Sequence, residues 1–192
     1  MFRALRKLVL VIGWLMAGAV GVLLYQHRAT FYPLVDLVDA LSIREGFEQK
    51  VSGRISGQVV KVLDGDTFQI KDDEGRRFNI RLTGVDAPDF QRTNKAELRL
   101  AGESKTNLSR LILSNRVRID VTYSNESYGV LGIAHLGETN INAVAVASDI
   151  AKLKREYMNG LPLKDRYMLI RAGRKAKELN AGIGGHTPDS SE

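Results

Sequence analysis

The stretch VLDGDTFQI, residues 62–70, places two aspartates around a glycine, between two runs of apolar residues. Asp64-Gly65 is a dipeptide typical of a tight turn between antiparallel strands. Asp66 is not needed for that turn. Strand alternation puts its side chain on the same side as Phe68, which is the side expected to be buried. Because a buried carboxylate without partners is costly, Asp66 is expected to meet a cation or several hydrogen-bond donors.

Strand-like stretches continue on both sides of this turn. SGQVVKVL, DTFQIKD and RRFNIRLTG are joined by two turn sequences and predict a three-stranded meander. Helical spacing of apolar residues follows over 95–114, then two further strands, RVRIDVTYS and VLGIAHL, and helices over 140–153 and 163–180. This order predicts an α+β fold, a five-stranded barrel with about three helices attached.

A long apolar segment precedes the barrel. Residues 8–25, LVLVIGWLMAGAVGVLLY, carry no charge. A helix of this length spans about 27 Å, close to the thickness of a bilayer core. A cleaved signal peptide is the alternative, because Ala17-Gly18-Ala19 resembles a cleavage site, but the apolar run continues beyond it. The sequence therefore predicts one transmembrane helix, with a short N-terminal segment (1–7) before it and a juxtamembrane connector (26–50) after it.

The rest of the chain divides into a folded domain over 51–185 and a polar tail over 186–192. Within the predicted anchor, the small residues Gly13, Ala17 and Gly21 recur every four positions. Such a stripe lets transmembrane helices pack closely, so we expect transmembrane protein partners there. Glycines that simply face lipid are the alternative.

The charge balance weakens a simple nucleic-acid interpretation. The chain has 28 Lys and Arg against 22 Asp and Glu, but the excess lies in residues 1–28 and 150–178. The second of these segments is either a solvated helix face or a phosphate-facing patch. The sequence contains no cysteine and only three histidines, which excludes disulfides, thiolate metal sites and cysteine nucleophiles and argues against a zinc site.

Acidic residues and an arginine follow in the next strand and the loop after it. Arg81 precedes Asp86 and Asp89, which stand in GVDAPD. Together with Asp66, these carboxylates suggest a hard cation with oxygen ligands, such as Ca²⁺. Acids that serve only turns and caps are the alternative.

At this point the sequence resembles a known family. VVKVLDGDTFQI, IRLTGVDAPD, the dipeptide YG and INAVAVASDIAK are similar to the staphylococcal nuclease (thermonuclease-like) family over about residues 56–183. The resemblance implies an OB-fold barrel that carries a Ca²⁺-dependent phosphodiesterase site. It also implies the metal ligands: the carboxylates of Asp66 and Asp86, and the backbone carbonyl of Ala87.

The resemblance further implies catalytic and substrate-binding residues. Arg81 matches the first phosphate-binding arginine of the family, and Asp89 stands where the family has a glutamate that activates the attacking water. Tyr128 matches the tyrosine before the glycine of the motif and is expected to bind substrate. Asn142 matches the asparagine that opens the second helix.

Two departures from the family pattern bear on activity. Asp89 is one methylene shorter than the expected glutamate, and a base misplaced by about 1 Å can cost on the order of 100-fold in rate. The family follows Tyr-Gly with an arginine, but residues 128–132 read YGVLG. The arginine is either replaced by Val130 or deleted, and Arg92 is the nearest substitute.

Two functions from different classes follow. The favoured one is an accessory or structural subunit of a membrane protein complex, with an incomplete nuclease site and no cofactor. As a single-pass protein it is expected in the mitochondrial inner membrane rather than a bacterial plasma membrane. The alternative is a membrane-bound, Ca²⁺-dependent endonuclease that acts on nucleic acid. The fold does not decide between them.

Overall fold

A computed structural model describes most of the chain. The described residues are 14, 16–23, 25–43, 53–90, 95–125, 129–148, 150–159 and 161–179. Several sequence predictions lie outside them: the segment 1–7, Gly13, Arg92, Tyr128 and the tail 186–192. The chain divides into two compact units, residues 1–38 and 39–192.

The first unit is helical where it is described. Residues 16–23 form part of a helix, and helix α1 (Arg28–Ser42) begins in this unit and lies within the predicted connector (26–50). Residues 8–13, 15 and 24 of the predicted anchor lie outside the described part. Within the described part, every helix is too short or too polar to cross a bilayer, so the predicted transmembrane helix is not supported.

The second unit contains the barrel. Its described strands are, in chain order, β1 (Gly53–Val62), β2 (Thr67–Lys71), β3 (Arg77–Leu82), β4 (Val85–Asp86), β5 (Arg116–Asn125), β6 (Gly129–Leu136), β7 (Thr139–Asn140) and β8 (Lys152–Leu153). The main sheet has the order β3-β2-β1-β5-β6-β7, and β3 also pairs with β6 in parallel. That pairing closes the sheet, which confirms the predicted five-stranded barrel.

Alternation along the strands places the core inside the barrel. Phe68 and Ile70 on β2, Ile80 on β3 and Ile133 on β6 are fully or almost fully buried. Each such side chain contributes about 1.5–3 kcal/mol of transfer free energy. The side of β2 that carries Phe68 is therefore the buried side, as its sequence predicts.

Helices cover the barrel. They are α2 (Lys95–Ile112), α3 (Ile141–Ala147) and α4 (Leu163–Leu179), with a 3₁₀ turn at Arg155–Tyr157. α2 begins and ends close to the prediction, and so does α4. The helix predicted over 140–153 is wrong in its second half, because it ends at Ala147. Lys152 and Leu153 are extended instead and pair with β4.

Candidate active site

The turn between β1 and β2 uses only one of the two aspartates. The backbone N–H groups of Leu63 and Asp64 donate to the carbonyl of Thr67. Asp64 Oδ1 accepts a hydrogen bond of 3.0 Å from the backbone N–H of Asp66. Asp64 therefore stabilises the turn, which leaves the Asp66 side chain for another role.

The glycine between them is required by packing rather than by its backbone angles. Gly65 does not have a positive φ, so a side chain is compatible with its conformation. A Cβ atom placed there, however, would lie 1.7 Å from Ser104 Oγ and 2.7 Å from Ala87 Cβ. Ser104 is itself held, since its hydroxyl donates to the carbonyl of Ile150. The turn thus packs directly on α2 and on the loop after β4.

Asp66 is the buried acid of the site. It is 2% exposed, and both of its carboxylate oxygens accept hydrogen bonds. Oδ1 accepts from Thr67 Oγ1 at 2.7 Å, and Oδ2 accepts from the backbone N–H of Ala87 at 2.9 Å. Burial nevertheless dominates and raises the pKa of Asp66 to about 6, against the lowering effects of Ala87, Thr67 and Arg81.

Arg81 brings the two predicted metal ligands together. Its Nη2 lies 3.4 Å from Asp66 Oδ2 and 3.8 Å from Asp86 Oδ1. Strand pairing places the end of β3 beside Asp66, because Arg81 is opposite Thr67 and the N–H of Leu82 donates to the carbonyl of Asp66. The side chains of Arg81 and Asp86 are 49% and 35% exposed, so this edge of the site faces solvent.

Lys154 completes the cluster; it lies in the basic segment 150–178, but the sequence did not single it out as a site residue. Its Nζ lies 3.4 Å from Asp86 Oδ2 and 3.6 Å from a carboxylate oxygen of Glu156. The negative charge of Asp86 is the largest cause that raises the pKa of Lys154. The hydrogen bond between Lys154 and Asp86 and the charge of Glu156 raise this pKa further. The short β4–β8 ladder brings this residue to the site, and two-residue strands have no hydrophobic periodicity by which a sequence reveals them.

The other predicted site residues have different outcomes. Ala87 contacts Asp66 through its N–H, and its carbonyl as a metal ligand stays a prediction. Asp89 is half-buried. In the described residues, no three histidine or acidic side chains are grouped so that they could hold a metal, so Asp89 does not join Asp66 and Asp86 in such a group. The role of Tyr128 stays a prediction, since this residue lies outside the described part.

The ligand atoms at the site are of the type that Ca²⁺ prefers. Carboxylate oxygens are hard ligands, and Asp66 and Asp86 approach a common cationic atom in Arg81. Two carboxylates supply fewer oxygens than the six to eight that Ca²⁺ usually takes, so backbone and water oxygens would complete the shell. Arg81 and Lys154 also balance the charge of these two acids, which predicts weak affinity.

Barrel closure shows which position neighbours Arg81. In the parallel β3–β6 pair, Arg81 is opposite Leu131, and Ile80 is opposite Val130. Val130 is 7% exposed and belongs to the core, whereas Leu131 lies on the Arg81 side of the sheet. Of the two alternatives for the missing arginine, replacement by Val130 does not fit this register, because the Val130 side chain belongs to the core; deletion of the arginine stays a prediction.

Asn142 connects the site strands to α3. It is fully buried, and its Oδ1 accepts from the backbone N–H of Ala134 at 2.9 Å. Its Nδ2 donates to the carbonyls of Thr83 at 2.9 Å and Gly132 at 3.2 Å. The residue that caps the helix is Asn140, whose side chain accepts from the N–H of Ala143. Asn142 therefore ties the residue after β3 to the middle of β6, and it is not the residue that caps the helix.

Fold and site together define an α+β barrel protein with paired acids and an arginine at one solvent-facing edge. The staphylococcal nuclease homologues match residues 79–184, more than half of the chain, and the chain belongs to this family. A thermonuclease of Staphylococcus hyicus is 28% identical over 128 residues, which cover 66% of this chain and 73% of that protein. The family match includes Asp86 and begins after Asp66.

Proposed function

We propose that the chain is a nuclease, an enzyme that hydrolyses phosphodiester bonds of nucleic acid with the help of Ca²⁺. The observation that carries this proposal is the convergence of Asp66 and Asp86 on one nitrogen of Arg81, at 3.4 and 3.8 Å. Family membership supports it, because the similar protein from Staphylococcus hyicus is named a thermonuclease.

The residues of the site have separable roles in this proposal. Arg81 is half exposed and held in place by a buried acid, so its guanidinium can bind a phosphate oxygen without losing its position. Asp66 and Asp86 would hold the calcium ion, which supplies Lewis-acid polarisation of the phosphate when bound. Asp89 is the acid that we assign to activation of the attacking water.

Activity is expected to be low for a nuclease of this type. Phosphoryl chemistry depends on positioning and on stabilisation of developing negative charge. Loss of one stabilising donor typically costs about 100- to 1,000-fold in rate. The position beside Arg81 carries Leu131, an apolar residue, so that donor is not supplied from β6.

Cleavage by the purified full-length chain tests the proposal. Labelled single-stranded DNA, double-stranded DNA and RNA are incubated with Ca²⁺ or with EDTA, and the products are resolved on gels. We expect slow, Ca²⁺-dependent cleavage that Arg81→Ala abolishes. The matched control is Arg116→Ala, another strand arginine of similar exposure (54%), which pairs with Asp73.

Each outcome has a defined meaning. Loss in Arg81→Ala with retention in Arg116→Ala supports the proposed site. Equal loss in both variants contradicts it, because the effect then follows net charge. Absence of cleavage by the wild-type chain on all three substrates refutes the enzymatic function.

An accessory subunit of a membrane protein complex is the second candidate. The observation that favours it is a row of apolar side chains on α1, since Leu34, Val35 and Val38 are mostly exposed. Location in the mitochondrial inner membrane and packing through Gly13, Ala17 and Gly21 belong to this candidate. Replacing Gly13 and Gly21 with leucine is expected to release the chain from a complex on a native gel. A wild-type chain that migrates alone contradicts this function.

A further inference from the structure

Two cations approach different oxygens of one half-exposed carboxylate. Arg81 Nη2 lies 3.8 Å from Asp86 Oδ1, and Lys154 Nζ lies 3.4 Å from Asp86 Oδ2. The first comes from β3 and the second from the segment directly after β8. Asp86 and Lys154 are similarly accessible, with side chains 35% and 36% exposed. A cationic pair therefore faces solvent at the edge of the site, bridged by a carboxylate.

Backbone contacts, and not the ion pair alone, place Lys154 there. Asp86 is opposite Lys152 in the β4–β8 ladder, and the N–H of Lys154 donates to the carbonyl of Gly84 at 3.0 Å. Lys154 itself has extended backbone angles, so alternation puts its side chain on the same side as that of Lys152. The intervening residue, Leu153, is half-buried and packs near α4 at Gly173.

We propose that Lys154 is a second phosphate-binding residue of this site, and that with Arg81 it binds the non-bridging oxygens of a nucleic-acid phosphate. This inference rests on the proposed function in taking nucleic acid as the ligand. Lys154 gives the site a second cation, although the position beside Arg81 on β6 is occupied by the apolar residue Leu131. The lysine contributes a flexible point charge, where an arginine would contribute a fixed bidentate contact.

A phosphate can compete with Asp86 for these cations at small cost. Ion pairs that face solvent contribute little, because water and salt screen the charges. A phosphodiester offers two non-bridging oxygens that share one negative charge, as the carboxylate of Asp86 does. The competing explanation is that Lys154 only neutralises Asp86, and the two explanations differ in what removal of the lysine does to binding.

The test measures binding of a fluorescein-labelled, single-stranded 12-mer DNA to the full-length chain by anisotropy, in EDTA and over a range of salt concentrations. Each phosphate neutralised on a single strand contributes about −0.7 to the slope of log K against log salt concentration. We expect Lys154→Met to weaken binding several-fold and to make the slope less negative by about that amount. Lys154→Arg is expected to retain both the affinity and the slope.

Lys175→Met is the matched control. Lys175 is an exposed lysine of α4, so its removal changes the net charge equally. The slope of log K against log salt concentration for Lys175→Met is expected to equal that of the wild type. A Lys154→Met slope equal to that of the wild type or of Lys175→Met overturns the inference. Circular dichroism of each variant verifies that the fold is retained.

The outcomes also separate this inference from the proposed enzyme. The assay contains no metal, so it does not depend on cleavage. If the wild type binds the 12-mer and the Lys154→Met slope is unchanged, only the role of Lys154 is refuted. If the slope changes but the wild type does not cleave with Ca²⁺, the lysine binds phosphate and the enzymatic function fails. If the wild type does not bind, the role of Lys154 is refuted, and the cleavage assay with Ca²⁺ decides the enzymatic function.

Discussion

Replacement of Asp66 by asparagine is expected to stabilise the metal-free protein at neutral and alkaline pH. Burial raises the pKa of Asp66 from 3.8 to about 6, a difference of about two units. One pKa unit corresponds to about 1.36 kcal/mol, so ionised Asp66 reduces the free energy of unfolding by about 3 kcal/mol at high pH relative to low pH. Asparagine removes the charge without changing the size of the side chain.

The sign of the pH dependence follows from the raised pKa. A carboxyl group whose pKa is higher in the folded state binds its proton more tightly there. Its stabilising contribution is complete below pH 3.8 and is lost as the pH rises through about 6. The gain from Asp66→Asn should therefore be near zero at the acidic end and reach about 2–3 kcal/mol at pH 8.

The local hydrogen bonds allow this exchange. Asparagine can accept from the N–H of Ala87 through its carbonyl oxygen and can donate to the hydroxyl of Thr67 through its amide. Both groups now contact the carboxylate, at 2.9 and 2.7 Å. Ala87 keeps its acceptor, and only the proton of the half-buried Thr67 hydroxyl has to find a new one, so the substitution avoids most of the penalty that usually follows loss of a buried acceptor.

Urea unfolding between pH 4 and 8, in EDTA, measures the effect. Circular dichroism is the suitable probe because the single tryptophan, Trp14, lies in the first unit. The control is Asp73→Asn, because Arg116 lowers the pKa of Asp73 and the expected effect at pH 8 has the opposite sign. A difference between wild type and Asp66→Asn that does not change with pH, or a less stable variant at pH 8, refutes the reasoning.

Two further substitutions test the packing of the turn and the position of the missing arginine. Gly65→Ala places a methyl group against Ser104 and is expected to cost about 1–3 kcal/mol in urea unfolding, whereas Gly102→Ala, which meets nothing within 4 Å, should be tolerated. A Gly65→Ala protein as stable as wild type contradicts that contact. Leu131→Arg is expected to raise cleavage at least tenfold, while Val130→Arg buries a guanidinium and should unfold the barrel. Equal stability of the two arginine variants contradicts the register.

The barrel strands and the burial of Asp66 could be predicted because they depend on short-range patterns. The alternation in residues 67–71 indicates which side of β2 faces the core, and Asp66 follows that alternation. The presence of several hydrogen-bond donors around Asp66 could be predicted for the same reason. A carboxylate on the buried side of a strand needs hydrogen-bond donors or a cation, whatever the path of the rest of the chain.

Other features depend on contacts between distant segments. Asp-Gly is a turn signal in sequence, but the reason for Gly65 is the approach of Ser104 from α2. Helical spacing continues past Ala147, but pairing with β4 draws residues 152–153 into a strand. The same pairing brings Lys154 to Asp86. The parallel β3–β6 register, which puts Leu131 beside Arg81, is also non-local and could not be obtained from the motif.

The energetic cost of Asp66 bears on whether the site is used. A barrel of this kind has no structural need for an ionised acid on the buried side of a strand, because an amide or apolar residue could fill the same space. Ionised Asp66 costs about 3 kcal/mol at neutral pH, a sizeable part of the 5–15 kcal/mol by which domains are usually stable. Conflicts between local energetics and the fold are expected mainly at functional sites. The placement of Arg81 and Lys154 around the adjacent Asp86 therefore favours a site that binds phosphate over a barrel that serves only as a scaffold.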